Sequence, residues 1–71
     1  MSRYAVNSLL YRLKKDTAYR ARFLADPEAA LADVDLTPAE RQAFVARDAR
    51  QINELGGYLH LVMSVPGIAG H

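Results

Sequence analysis

Helix-start signals recur along this sequence so closely that only short helices fit between them. Asp26-Pro27-Glu28 sets a side-chain acceptor before a helix, a proline at its first position and an acid in its first turn. Thr37-Pro38-Ala39-Glu40 repeats the device as a capping box, in which Thr37 and Glu40 each satisfy the other's backbone amide. Asp48-Ala49-Arg50-Gln51 reads as a second box of the same kind, and Asp16 or Thr17 caps an earlier helix. Gly56 supplies a stop, because glycine accepts the left-handed conformation that ends a helix. Residues 4–55 therefore divide into four or five short helices, joined closely enough that each packs on its sequence neighbours. The expected fold is all-α, a compact bundle of four to five short helices.

Apolar spacing says which faces turn inward. Val6, Leu9, Leu10 and Leu13 fall at i, i+3, i+4 and i+7, one stripe of a first helix. Arg12, Lys14 and Lys15 lie off that stripe, and the two lysines sit where a helix C-terminus favours cations. Tyr19, Phe23 and Leu24 are the buried candidates of the second helix, Ala43 and Phe44 of the one opened by Thr37, and Ile52 and Leu55 of the last.

Beyond Gly56 the pattern changes. Leu59, Leu61, Met63 and Val65 alternate with Tyr58, His60, Val62 and Ser64, which is the period of an extended strand. A one- or two-turn helix over Leu59, Val62 and Met63 is the other reading. Pro66 disfavours helix at Val65, and Gly67 and Gly70 weaken helix further on. The expected division is a helical domain over residues 1–56 and an extended apolar C-terminal tail over residues 57–71. That tail either folds back over the core or inserts into another protein, through a sheet edge or a groove.

Size makes the choice matter. A chain of 71 residues buries roughly 60% of the surface it exposes unfolded, so its own core is thin. Without cysteine there is neither a disulfide framework nor a thiolate metal site to help. His60 and His71 stand too far apart for a metal site. A partner protein is the expected source of the missing stability.

Charge points the same way. Residues 1–25 carry six basic side chains against Asp16, residues 26–54 carry seven acids against three arginines, and residues 55–71 carry no charged side chain. Such a split implies either internal pairing or a partner with matching patches. The basic residues lack the clustering and motifs of nucleic-acid binders. No signal-peptide pattern precedes Arg12, and the tail is too short and broken to span a bilayer, so the expected setting is cytoplasmic.

No nucleophile–base pair, phosphate-binding glycine loop or apolar carboxylate pair appears. Asp26, Glu40 and Asp48 are explained by capping. Tyr4, Tyr11 and Tyr19, spaced to share a helical face, and Phe44 are the candidate partner-binding aromatics, with core or interface packing as their default. The tail residues Leu59, His60, Leu61, Val62, Met63, Val65 and Ile68 are the remaining candidates. His60 either touches a partner's ligand or is simply packed.

Several runs resemble a known family. Tyr4-Ala5-Val6-Asn7, Leu13, Phe23-Leu24-Ala25-Asp26-Pro27-Glu28-Ala29-Ala30-Leu31, Leu36-Thr37-Pro38-Ala39-Glu40-Arg41, Asp48 and Leu55-Gly56 are similar to the LigA-type domain, the small alpha subunit of protocatechuate 4,5-dioxygenase and its relatives. The resemblance covers roughly residues 4–56. It implies a non-catalytic subunit in a hetero-oligomer, capping a larger beta subunit that carries the non-haem Fe(II) and cleaves catechol-type aromatics, with no cofactor in this chain. After Gly56 the G-V-H-P-like turn of many small subunits is replaced by Gly57-Tyr58-Leu59-His60, and no substrate-contacting residue is carried over.

The same domain resembles the recognition domain of split borosin precursor peptides. That resemblance implies an S-adenosylmethionine-dependent N-methyltransferase as partner, with the tail methylated on backbone nitrogens. Such chemistry needs amides free of helix, which an extended tail offers at Leu61, Val62, Met63, Val65 and Ile68, while Pro66 has no N–H to modify. Both resemblances make the chain a non-enzyme bound by a larger enzyme, and Tyr4-Ala5-Val6-Asn7 favours the dioxygenase.

Overall fold

A computed structural model describes residues 2–68. Among the described residues the chain runs α1 (Ser2–Lys15), α2 (Thr17–Ala25), α3 (Pro27–Ala30), α4 (Pro38–Ala46), α5 (Ala49–Glu54) and α6 (Leu59–Ser64), with no strand. The chain is all-α, as its punctuation requires.

The caps form as the residue types dictate. Asp16 Oδ1 accepts from the Tyr19 amide at 3.0 Å, and Asp26 Oδ1 from the Ala29 amide at 3.2 Å. At α4 both halves of the box are present: the Thr37 amide donates to Glu40 Oε1 at 2.9 Å, and the Glu40 amide to Thr37 Oγ1 at 3.2 Å. Asp48 caps α5 through the Gln51 amide at 3.1 Å. The reciprocal half expected there is replaced, because the Asp48 amide already donates to Ala43 O at 3.0 Å. That bond belongs to the stop of α4, where Arg47 takes the left-handed conformation at φ 55°. Gly56, at φ 116°, ends α5 with the same geometry: the Gly57 amide reaches back to Ile52 O at 3.0 Å.

Neighbouring helices pack in sequence order, and α6 closes the ring by lying on both α5 and α1. One core fills the centre. Val6, Leu9, Leu10 and Leu13 of α1 meet Tyr19, Phe23, Ala30, Leu31, Ala43, Phe44 and Ile52. Val62, Val65 and Ile68 complete the same cluster, so residues 57–68 share the core of residues 1–56.

The extended tail expected from the alternation is therefore corrected to a helix and a following turn. Val62, Val65 and Ile68 are three apart, and Leu59 and Met63 four apart, so helical spacing was present beneath the period-two pattern. Burial of the first set on α1 and α5 decides between the two periods. Pro66 does not obstruct this, because α6 ends at Ser64 and Val65 is extended at φ −95°, ψ 112°, as a residue before proline should be.

Candidate partner-binding surface

The surface begins at the junction of α5 and α6. Gly57 is buried, and a Cβ there would lie 3.0 Å from both Cγ2 and the carbonyl oxygen of Ile52. A side chain there would push α5 away by a few tenths of an ångström, so glycine suits this close approach. Asn53 Nδ2 donates to Gly57 O at 2.8 Å. From α1, Asn7 Nδ2 donates to Gly56 O at 3.0 Å, and Asn7 Oδ1 accepts the Tyr58 amide at 2.7 Å. Two asparagine amides thus fix the path of the chain into α6. Tyr4 and Tyr11 lie one helical turn on either side of Asn7, so the Tyr58 backbone runs beside the face of α1 that bears them.

Several large side chains of α1 and of the segment that opens and forms α6 are open to water. Tyr4 is 76% exposed, Tyr11 54%, and Tyr58, Leu59 and Met63 close to 60% each. His60 is exposed too, and Leu61 is half-buried. The outward residues of α6 are thus largely apolar while Val62 packs inward. A helix apolar on both sides is one that is normally covered on both sides.

The candidates divide sharply by position. Tyr4 and Tyr11 lie on the surface, but Tyr19 and Phe44 do not. Phe44 is buried in the core, and Tyr19 is buried with its hydroxyl donating to Ala30 O at 2.8 Å and its ring 3.7 Å beneath the Arg12 guanidinium. Those two partner-binding assignments are corrected to core roles. The seven- and eight-residue spacing failed because Tyr19 follows the α1–α2 break at Asp16, which reorients its helix. Burial raises the Tyr19 pKa above its ordinary value, a rise that Arg12 opposes, Asp33 supports and Arg22 opposes.

Val62, Val65 and Ile68 are likewise buried, and their amides are engaged. Val62 N–H donates to Tyr58 O at 2.9 Å, Val65 N–H to Val62 O at 3.4 Å and Ile68 N–H to Val65 O at 3.2 Å. The free amides that backbone methylation would need are absent at these three positions, because the tail is helical and docked. An N-methyltransferase would first have to pull α6 off the core. His71 lies outside the described residues.

Two polar residues important to the fold were not assigned these roles from the sequence. Asn7 holds the α5–α6 junction. Arg41 donates from Nη1 to Leu31 O at 2.6 Å and from Nη2 to Val34 O at 3.0 Å, satisfying carbonyls in the turn after α3. Both sit inside the family-like runs, at Tyr4-Ala5-Val6-Asn7 and Thr37-Pro38-Ala39-Glu40-Arg41. These runs therefore encode caps and staples of the fold.

Among the described residues no group of three or more His, Cys, Asp or Glu side chains comes together to hold a metal ion. His60 has no such company, so these residues do not fit an iron site. No helix among the described residues is long and apolar enough to cross a membrane.

Compared with known families, residues 6–71 match the one described as Aromatic-ring-opening dioxygenase LigAB, LigA subunit. The chain belongs to the LigA family. The match continues through α6 and does not stop at Gly56, where the sequence resemblance weakened. Comparisons with curated proteins and with solved structures return no match. LigA is the small subunit of an aromatic-ring-opening dioxygenase.

Proposed function

We propose that this chain is the small, non-catalytic subunit of an aromatic ring-opening dioxygenase, working in the cytoplasm. It docks on a larger subunit that carries the iron and cleaves catechol-type rings. The observation that carries this reading is the outer face of α6, where Leu59 and Met63, with Tyr58 beside them, stay exposed on a helix whose other side is core. An accessory subunit needs such a face, and an isolated small domain gains nothing from one. Membership of the LigA family supports the identity of the partner. In this reading Tyr4 and Tyr11 extend the contact along α1, and the large subunit is capped by the α1–α6 side.

Binding of the purified large ring-opening subunit from the same source tests the proposal, read by calorimetry and by ring-cleavage rate. Leu59→Glu with Met63→Glu should weaken association at least about tenfold by placing charge in an apolar contact, with helix content and melting unchanged. Equal affinity of the double variant and the parent, or full large-subunit activity without any small chain, would refute it.

A further inference from the structure

The charge split in the sequence is not resolved inside the fold. Among the described residues the one ion pair joins Arg50 Nε to Glu54 Oε2 at 3.5 Å, within the acidic part of the chain. Asp16, the only acid among residues 1–25, spends its carboxylate on the Tyr19 amide. The corner where α1 meets α2 therefore carries Arg12, Lys14, Lys15, Arg20 and Arg22 with none of them in an ion pair among the described residues, Asp33 standing near enough to act on Tyr19, and all but the half-buried Arg20 are exposed.

Part of this corner is held in place. The Arg12 guanidinium lies 3.7 Å from the centre of the Tyr19 ring, and Arg20 Nη1 donates at 3.2 Å to both Leu13 O and Lys14 O. A cation already ordered loses little entropy when a partner arrives. Lys15 Nζ lies 5.9 Å from the centre of the Tyr11 ring, so the corner continues into the tyrosine face of α1.

We propose that the α1–α2 corner of Arg12, Lys14, Lys15, Arg20 and Arg22 is an electrostatic docking site for an acidic patch on the larger subunit, which it steers onto the adjoining tyrosine face. This rests on the functional reading above. Charge complementarity selects a compact acidic protein surface as the occupant. The acids of residues 26–54 share a globule only 25 Å in its longest dimension, so an extended polyanion crossing the corner would also meet like charge. Tyrosine beside arginine is moreover the composition of protein interfaces. Because four of the cations are exposed, their main effect falls on the rate of encounter and its dependence on salt.

Stopped-flow association with the purified large subunit, from about 20 to 500 mM NaCl, tests this. Lys14→Gln, Lys15→Gln and Arg22→Gln together should lower kon about tenfold at the lowest salt, flatten its salt dependence and leave koff nearly unchanged. Removing Arg47 and Arg50 on the acidic side should change kon less than twofold. If the parent associates but the triple variant keeps its kon and salt slope, the corner proposal falls while the functional reading stands. If the parent does not associate at any salt, both fall. Corner-dependent binding of a single-stranded DNA 20-mer, or corner-dependent dimerisation at low salt, would assign these cations to another occupant and overturn the proposal.

Discussion

Asn7 and Tyr58, far apart in sequence, are joined by a hydrogen bond in which the Tyr58 amide donates to Asn7 Oδ1 at 2.7 Å. With Asn7 Nδ2 on Gly56 O, the first helix grips both sides of the turn that launches the last one. Asn7→Ala should destabilise the fold by about 1–2 kcal/mol, since both backbone partners lose a protein hydrogen bond. Urea unfolding measures this, and amide exchange should rise first in α6.

The two sides of α6 should answer differently to truncation. Val62→Ala removes fully buried methyls from the core, and should cost about 2 kcal/mol in transfer and cavity terms. Met63→Ala, on the exposed side, should change stability by less than about 0.5 kcal/mol yet weaken binding of the larger subunit. Thermal melts beside binding isotherms separate the two effects.

Arg47 holds a left-handed backbone at φ 55° without the freedom of glycine. Arg47→Gly should therefore raise stability by about 0.5–1 kcal/mol, because the left-handed penalty outweighs glycine's greater unfolded entropy at this one position. A rise in the urea midpoint at constant m-value is the expected result.

The capping box at α4 should be the most sensitive of the helix starts, because it alone carries both reciprocal bonds. Thr37→Ala removes the acceptor of the Glu40 amide and should cost about 1 kcal/mol, with Thr37→Ser restoring most of it. Denaturant titration of the three proteins checks the order.

Tyr19 makes the fold sensitive to alkali. Its pKa in the folded protein lies above 10.0, chiefly because burial disfavours the phenolate. The unfolded chain thus releases this proton first, so the contribution of Tyr19 is intact below about pH 10 and is lost as pH rises through the folded value. Tyr19→Phe should cost about 1–2 kcal/mol near neutrality by orphaning Ala30 O. Its deficit relative to the parent should shrink at alkaline pH, as urea midpoints between about pH 8 and 11 will show.

Helix starts were legible from sequence because a cap is a local event. Asp16, Asp26, Thr37 and Asp48 each bond an amide three residues ahead, and nothing distant is needed to decide it. The stripe of Val6, Leu9, Leu10 and Leu13 was legible for the same reason, since a helix of this length displays its inner face by spacing alone. The candidate surface was only half legible. Tyr4 and Tyr11 were recognisable as a pair on one helix, but Tyr19 belongs to the core because of the break between α1 and α2.

The sequence by itself determined the helical class, the caps and the polarity of charge along the chain. Tertiary structure alone decided the fate of residues 57–68, whose apolar pattern suits a strand, a helix or another protein's groove equally well. Their conformation is settled by what they touch: Val62, Val65 and Ile68 find one core between α1 and α5, and Asn7 and Asn53 fix the turn that brings them there. Local propensity is weak for so short a helix, and burial of its inner face supplies the difference.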